Sequence, residues 1–324
     1  MHHQTIDMKE KILFIINPVS GIGKQKTVEQ SVENVLDKEK FDYQIAYTEY
    51  AHHATEIAKD ATNKRFDIVV AVGGDGSIND CVRGLIGSKI KLGIIPAGSG
   101  NGLARCLHIP LDVNKAIEVI NNCNSINMDT VRVNGYDYAS ISGIGFDALI
   151  AKQFTGNKTR GFQTYLKLIL QDYLNYKPQK YKLLIDGEEI ETEALFISFA
   201  NSNQFGYNAV VAPKASVSDG LLDVSIVKKV PLALAPLVVQ FMFFRNFDKS
   251  PYVRTYSARN VRVTDFSDGL INLDGEALEF TDKELEFTVN PSSLNVIIPD
   301  EKHSEIFPHE NKISELIKQI KEKI

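Results

Sequence analysis

The segment that most limits how this chain can fold is Gly-Gly-Asp-Gly-Ser at residues 73–77. It directly follows an apolar run at 66–72 that is typical of a buried parallel strand, and apolar residues at helical spacing come after it. Glycine lets a backbone approach a ligand closely, and the N–H groups at the start of a helix favour an anion. Asp75 in such a loop suits a magnesium ion or a ribose hydroxyl, and the alternative is a tight turn with an aspartate cap.

Two other glycine-rich turns also follow predicted strands. Residues 17–24 follow a strand at 11–16, and residues 96–105 follow a strand at 91–95. In an open parallel sheet such turns lie along one edge, where ligands bind, so three of them predict a single phosphate site. The turns match neither Gly-x-x-x-x-Gly-Lys-Ser/Thr nor Gly-x-Gly-x-x-Gly, so neither a P-loop nor the dinucleotide fingerprint is present.

The spacing of predicted elements changes near residue 128. Earlier residues alternate short strands with helical segments, which predicts an α/β domain with a parallel sheet, placed at 1–127. Later strands lie close together and are joined by Asn134-Gly135 and Asp186-Gly187, which are typical hairpin turns. We therefore predict a fold of α/β plus all-β, with an antiparallel, β-rich, sandwich-like second domain at 128–298. The first of these hairpins would pair strands at 130–133 and 138–141.

The three glycine-rich turns carry a resemblance to a known family. Asn-Pro-x-Ser-Gly-x-Gly, Gly-Gly-Asp-Gly-Ser and Pro-Ala-Gly-Ser-Gly-Asn-x-Leu-Ala resemble the catalytic domain of the diacylglycerol kinase and sphingosine kinase superfamily, in its bacterial soluble lipid kinase type. Further matching segments follow in the family's order, at 143–147, 212–215, 219–223 and 273–276. The resemblance implies a nucleotide-binding first domain, a lipid-acceptor second domain, and ATP with Mg²⁺ in the cleft between them.

The turns and the resemblance together supply the candidate nucleotide-binding residues. Asp75 would contact both nucleotide and magnesium. Lys24 would neutralise phosphate charge or simply lie on a helix face, and Thr48 is assigned by the resemblance alone. The full candidate set is Asn17, Ser20, Gly21, Lys24, Thr48, Gly73, Gly74, Asp75, Gly76, Ser77, Gly98, Ser99 and Asn101.

A kinase also needs a group that orients and deprotonates the attacking hydroxyl. The resemblance assigns this role to Asp274, supported by Glu276. The same tripeptide, Asp-Gly-Glu, occurs at 186–188, where it is interpreted as an ordinary hairpin turn. Only order within the family pattern favours the later copy, so a purely structural turn at Asp274 remains the alternative.

A second, supporting magnesium site is implied by the resemblance. It would use Asp219 together with Ser216 and Leu221, and the alternative is a turn-forming Asp-Gly. Asp147 would contact the acceptor head group or support the metal network. His52 and His53 are interpreted as surface or interdomain residues and not as ligands.

Composition and charge narrow the setting. With 41 acidic and 36 basic residues among 324, nothing points to nucleic acid. The sequence has neither a signal-peptide pattern nor about eighteen consecutive apolar residues. We therefore expect a cytoplasmic protein that contacts its lipid substrate transiently at a membrane surface, and a homodimer is possible.

Two further segments have an apolar pattern. Residues 231–247 are strongly apolar and suit a core helix, the wall of an acyl-chain pocket or a bilayer surface. Residues 311–324 have helical spacing, and the tail at 299–324 is expected to pack back on the first domain.

The resulting hypothesis is an ATP-dependent lipid kinase. Gly102 stands where bacterial diacylglycerol kinases usually place aspartate, which leaves the acceptor open between diacylglycerol, a sphingoid base and another lipid alcohol. One rival is a soluble-substrate kinase of the NAD kinase and phosphofructokinase-like group, because these share a related Gly-Gly-Asp-Gly loop. The other is a non-catalytic nucleotide-sensing module.

Overall fold

The structure is a computed structural model that describes residues 9–18, 25–155, 161–266 and 269–300. Its first half alternates strands and helices, as predicted. These elements are β1 (Glu10–Ile16), α1 (Gln25–Val35), β2 (Phe41–Tyr47), α2 (His53–Asn63), β3 (Ile68–Gly73), α3 (Asp75–Leu85), β4 (Lys91–Pro96), α4 (Gly102–Cys106) and α5 (Val113–Asn122).

The strands of the first half form a parallel sheet in the order β2-β1-β3-β4. All six residues of β3 are buried, as expected for a strand covered on both faces. Helix α1 packs on α5, and α2 packs on α3. Because the strands are parallel, the turns that follow β1, β3 and β4 lie along one edge of the sheet.

The second half is mainly antiparallel. Its elements are β5 (Ser125–Val133), β6 (Tyr136–Tyr138), β7 (Ile141–Gly145), α6 (Phe146–Thr155), α7 (Phe162–Asp172), β8 (Gln179–Ile185), β9 (Glu188–Ala194), β10 (Phe196–Ala200), β11 (Leu222–Val227), α8 (Ala235–Phe243), β12 (Val253–Ala258), β13 (Asn260–Asp265), β14 (Leu270–Leu273), β15 (Glu276–Glu279) and β16 (Leu285–Ile297).

Six of these strands form a separate antiparallel sheet in the order β12-β11-β10-β7-β14-β15. Its inner face packs on β5, β8, β13 and β16 through a continuous apolar core. Phe199 of β10 and Phe287 of β16 stack in that core, with ring centroids 4.0 Å apart. The predicted fold class is therefore confirmed: an α/β domain is followed by an antiparallel, sandwich-like domain.

The two halves share one sheet, which the sequence did not indicate. Strand β16 pairs antiparallel with β5 and β13, and then pairs parallel with β4 through Asn295 and Val296. This arrangement forms because Leu294, Val296 and Ile297 are buried in the core of the first domain. The chain thus returns to the first domain through a strand. The predicted return of the tail at 299–324 lies outside the described residues from 301 onward, and the limits at 127 and 298 stay predictions.

Both predicted hairpin turns are confirmed. Asn134-Gly135 joins β5 to β6, and Asp186-Gly187 joins β8 to β9, with positive φ at both turn residues in each case. The predicted strand at 138–141 is wrong. The chain leaves strand geometry between β6 and β7 because the N–H groups of Ala139 and Ser140 donate to the carboxylate of Asp274.

The apolar segment at 231–247 contains α8, preceded by a 3-10 turn at Leu232–Leu234. Within α8 only Val238 is buried, which contradicts the core-helix alternative. Among the described residues, no helix combines the length and apolar character needed to cross a bilayer.

Candidate active site

The glycine-rich turns after β3 and β4 touch each other. A Cβ atom placed on Gly98 would lie 2.4 Å from the Cα atom of Gly74, so only glycine permits this approach of the two backbones. A Cβ atom on Gly76, by contrast, would meet nothing within 4 Å. The turns are therefore tight where they meet and open beside the N-terminus of α3, where an anion is favoured.

Asp75 joins the same two turns. Its Oδ2 accepts the N–H of Asn101 at 2.8 Å, and its Oδ1 accepts the N–H of Gly102 at 2.6 Å. Burial raises the pKa of Asp75, while these N–H groups and the charge of Arg105 act in the opposite direction. A carboxylate has about four lone-pair sites, so Asp75 keeps the capacity to bind a cation.

The other predicted nucleotide residues of the first strands lie at the same sheet edge. Asn17 follows β1 and donates from Nδ2 to Oγ of Ser77 at 3.0 Å. Thr48 follows β2 and is buried, and its N–H donates to the carbonyl of Ile16 at 3.0 Å. The predicted residues Ser20, Gly21 and Lys24 lie outside the described residues.

Asn101 and Ser99 occupy different positions in the turn after β4. The buried side chain of Asn101 donates to the carbonyl of Gly98 at 2.9 Å and accepts the N–H of Gly98 at 3.1 Å. Ser99 is exposed. The side-chain amide of Asn101 therefore holds the turn together, and Ser99 is the exposed polar residue of that turn.

The late Asp-Gly-Glu forms the turn between β14 and β15. Asp274 Oδ1 accepts the N–H groups of Ser140 at 2.9 Å and Ile141 at 2.8 Å, and Oδ2 accepts that of Ala139 at 2.9 Å. Burial raises the pKa of Asp274 to about 6, and the three N–H groups and the charge of Arg83 act against that rise. A carboxyl group with this pKa is ionised at neutral pH yet basic enough to accept a proton.

Helix α3 connects this hairpin to the glycine-rich turns. The helix begins at Asp75, and one turn further on Asn79 Nδ2 donates to the carbonyl of Asp274 at 2.9 Å. On the next turn Arg83 Nη1 lies 3.0 Å from Glu276 Oε2. The sequence reasoning missed Asn79 and Arg83, although their i, i+4 spacing places them on one face of a predicted helix.

A charged cluster surrounds Arg83. Its Nη1 is 3.6 Å from Asp80 Oδ1, and His52 Nδ1 is 3.0 Å from the same oxygen. The hydrogen bond to Asp80 raises the pKa of His52. His52, Asp80 and Glu276 offer ligand atoms within 4.8 Å of one another, but the guanidinium of Arg83 already balances both carboxylates. The cluster is thus an ion-pair network across the domain boundary.

The predicted second magnesium residues, Ser216, Asp219 and Leu221, lie in the loop between β10 and β11. Ser216 and Asp219 are exposed, and Asp219 Oδ1 accepts the N–H of Leu221 at 3.0 Å. Within the described ranges this loop gathers no group of three His, Cys, Asp or Glu ligands. Its role as a metal site stays a prediction.

Asp147 is buried at the start of α6. Asn272 Nδ2 donates to its Oδ2 at 2.8 Å, and burial raises the pKa of Asp147 to about 6. The structure therefore gives Asp147 a partner on β14, next to the hairpin of Asp274. Its predicted contact with an acceptor or metal network stays a prediction.

A loop of the second domain at 203–208 covers the turn after β4, and sequence reasoning missed it. Tyr207 N–H donates to the carbonyl of Gly100 at 3.3 Å. A Cβ atom on Gly102 would lie 2.9 Å from the carbonyl oxygen of Phe205, which is backbone and cannot rotate away. The departure from the family pattern at Gly102 therefore has a packing cause: any side chain there must displace the covering loop.

Comparisons with known proteins match both halves of this arrangement. A family model described as the diacylglycerol kinase catalytic domain matches residues 11–133. A second, described as the YegS C-terminal NAD kinase beta sandwich-like domain, matches residues 140–298.

Similar proteins come from several bacteria. A Bacillus subtilis protein named diacylglycerol kinase is 29% identical over 300 residues, covering 90% of this chain and 97% of that protein. A Staphylococcus saprophyticus protein of the same name is 27% identical over 275 residues, covering 83% and 90%. The crystal structure of a Bacillus anthracis diacylglycerol kinase superposes with a TM-score of 0.68 at 20% identity, covering 90% of this chain and 97% of that one, and shows the shared fold.

A parallel sheet with interlocking glycine-rich turns is joined here to an antiparallel sandwich, and the match of the first domain to a kinase family model supports the class of kinases. The chain therefore carries a segment at 11–133 that matches the diacylglycerol kinase catalytic domain, followed at 140–298 by one that matches the sandwich-like domain. These matches confirm the resemblance found in the sequence. A match to a kinase family implies ATP and usually a divalent metal.

Proposed function

We propose that the protein transfers the γ-phosphate of ATP to the hydroxyl of a lipid alcohol. The observation that carries this proposal is the path of α3. Its first residue is Asp75 in the glycine-rich turn, and its second turn contacts Asp274 through Asn79 at 2.9 Å. One rigid helix thus links the candidate phosphate site to the candidate base.

The residues of the first domain fit a nucleotide bound with magnesium. Backbone N–H groups at the start of α3 would bind phosphate oxygens, and Asn17, Thr48 and Ser99 would contact the nucleotide from the neighbouring turns. Asp75 offers one carboxylate, and Mg²⁺ at phosphate sites is commonly held by one or two carboxylates together with phosphates and waters. When bound, the ion would neutralise charge on the transferred phosphoryl group.

The hairpin of the second domain fits the acceptor side. Asp274 would accept the proton of the attacking hydroxyl. Its Oδ2 accepts a single N–H, which leaves a lone pair for that proton. Glu276 would support it, held in place by Arg83 at 3.0 Å. The raised pKa of Asp274, about 6, suits a general base near neutral pH.

A lipid acceptor is supported by the relatives named diacylglycerol kinase. The identity of the alcohol is part of the test, because Gly102 departs from the usual bacterial pattern.

The test is transfer of radiolabelled γ-phosphate from ATP, with magnesium, into a total lipid extract in detergent micelles. Parallel reactions contain NAD or a panel of sugars, and Asp75→Ala is the inactive control. A labelled lipid that disappears with Asp75→Ala supports the proposal and identifies the acceptor. Label in NAD or a sugar, with none in lipid, would establish the soluble-substrate kinase instead. ATP binding without transfer to any acceptor would overturn the proposal in favour of nucleotide sensing.

A further inference from the structure

The segment at 231–244, named here the apolar ridge, is exposed although it is almost wholly apolar. Leu232 is 57% exposed, Leu237 51% and Phe244 44%. Val238 is the one buried residue of the ridge. Other exposed apolar side chains of the ridge are Leu234, Val239 and Phe243.

This exposure differs from that of an ordinary amphipathic helix. Helix α5 buries Ala116, Ile117, Val119 and Ile120 on one face and carries polar residues on the other. Helix α8, with the sequence Ala-Pro-Leu-Val-Val-Gln-Phe-Met-Phe, has a single polar residue, Gln240, and no polar face. A helix that is apolar on all sides is stable when both faces are covered, so the outer face of α8 lacks its cover.

The ridge continues onto α7. Tyr173 Oη donates to the carbonyl of Val230 at 2.6 Å, and Lys229 Nζ donates to the carbonyls of Leu174 at 3.2 Å and Tyr176 at 2.6 Å. Helix α7 and the turn that follows it carry an exposed stripe at i, i+4 and i+8, formed by Leu166 and Leu170 of the helix and Leu174 of the turn. The end of that stripe is therefore fixed beside the start of the ridge.

The charged residues near the ridge indicate what covers its outer face. Residues 224–247 contain Lys228, Lys229 and Arg245 but no aspartate or glutamate, and α7 carries Lys167 with no acidic residue before Asp172. Beside these apolar side chains the cations outnumber the carboxylates, which are Asp172 at the end of α7 and Asp248, paired with Lys214 at 3.3 Å. An apolar surface bordered mainly by cations complements a bilayer with anionic head groups. A second copy of the chain, paired through this face by two-fold symmetry, would bring mostly like charges together.

We infer that the apolar ridge and the leucine stripe of α7 form a surface that inserts into an anionic lipid bilayer. The inference rests on the proposed function in one respect: insertion would bring the kinase to an acceptor that resides in the bilayer. Binding to vesicles, however, can be measured without any phosphoryl transfer.

Insertion can be measured by the fluorescence of a single introduced tryptophan, because the chain contains none of its own. The variant Phe243→Trp places one fluorophore on the ridge, and Tyr136→Trp places one at a 52% exposed site on β6 as a matched control. Vesicles of phosphatidylglycerol and phosphatidylcholine should shift the emission of the ridge variant to shorter wavelength and leave the control unchanged. Vesicles of phosphatidylcholine alone, or added salt, should weaken the shift. An unshifted spectrum at saturating anionic vesicles would overturn the inference.

A second pair of variants connects the surface to activity. Leu237→Glu with Phe243→Glu should lower vesicle binding by about tenfold or more, whereas Leu111→Glu, at a 43% exposed leucine of the other domain, should not. Thermal melts check that both variants fold. Phosphorylation of a short-chain, monomeric diacylglycerol should be retained by the double variant, and phosphorylation of the same lipid in vesicles should fall.

The outcomes separate the two proposals. Vesicle binding that depends on the ridge, without transfer to any lipid, would sustain the surface and remove the lipid kinase. Transfer to monomeric lipid, with vesicle binding unaffected by the ridge variants, would support the lipid kinase and overturn the proposed membrane surface. A concentration-dependent dimer that the same variants dissociate, without vesicle binding, would assign the ridge to a second copy of the chain.

Discussion

The chain folds the tripeptide Asp-Gly-Glu into a hairpin turn twice, and the two copies have different surroundings. Both turns have positive φ at aspartate and glycine: 46° and 90° at Asp186 and Gly187, and 51° and 90° at Asp274 and Gly275. Asp186 is exposed and accepts N–H groups from Arg259 and Asn260 of its own sheet. Asp274 has a raised pKa and neighbours on α3. The local sequence sets the turn, whereas the position beside α3 sets the chemistry.

The largest expected difference between the copies is in catalysis. Asp274→Asn keeps the size of the side chain but removes the base, so kcat should fall by about 10²- to 10⁴-fold while ATP binding is retained. Asp186→Asn should change kcat less than about twofold, since surface changes away from a site have small effects. The measurement is kcat and ATP affinity for both variants. Near-normal turnover by Asp274→Asn would remove it from the catalytic assignment.

The two aspartates should also differ in how they affect the pH dependence of kcat. A base must be ionised to act, so kcat should fall as the pH drops through about 6, where burial places the pKa of Asp274. Asp186→Asn should leave this acid limb in place. Asp147 is the necessary control, because burial also raises its pKa to about 6. An acid limb that disappears in Asp147→Asn would assign the titration to that residue instead.

The third comparison concerns the glutamates. Glu276 pairs with Arg83 of the other domain, while Glu188 is exposed at its turn. We expect Arg83→Gln and Glu276→Gln each to lower kcat by about tenfold, and the double variant to be little worse, because both lose one contact. A double-mutant cycle on kcat measures this coupling, with Glu188→Gln as the neutral control. Strictly additive losses would show that the pair does not act as a unit.

The smallest difference is expected at the glycines. Gly187→Ala and Gly275→Ala should each lower the free energy of unfolding by about 1 kcal/mol, because φ is 90° at both and a new Cβ would meet nothing within 4 Å. Denaturant unfolding should therefore give similar losses, and only the change at Gly275 should also lower kcat. Clearly unequal losses of unfolding free energy would mean that the two turns differ in backbone conformation and not only in their surroundings.

The sequence predicted elements whose cause is local. The turn dipeptides Asn134-Gly135 and Asp186-Gly187 predicted hairpins because few residues adopt positive φ at low cost, and both are confirmed. The apolar run at 66–72 predicted a buried parallel strand because both faces of such a strand are covered, and β3 fits. The glycine-rich turns predicted one shared edge of the sheet because parallel strands all end at the same edge.

Features whose cause lies far along the chain were not predicted. The strand expected at 138–141 is interrupted by a carboxylate 133 to 135 residues away. Arg83 contacts Glu276 across 193 residues, and Gly102 meets the backbone of Phe205. Neither propensity nor spacing reports such contacts, because each depends on how two separately patterned domains come together.

Strand β16 gives the molecule a mechanical property. Its pairing with β5 changes register between Asn290 and Leu294, where Pro291 has no N–H, Ser292 has a φ of 51°, and the N–H of Ser292 is held by Asp129 at 2.7 Å. We expect amide hydrogen exchange to be fastest at 290–294 and slow at 295–297, and uniform protection across 285–297 would contradict this. A hydrogen-bonded ribbon of β5 and β16 resists stretching more than torsion, and the side-chain contacts of α3 with the Asp274 hairpin lie away from it. Relative motion of the two domains is therefore expected to be a rotation about the ribbon axis, and the contacts of Asn79 and Arg83 would oppose that rotation.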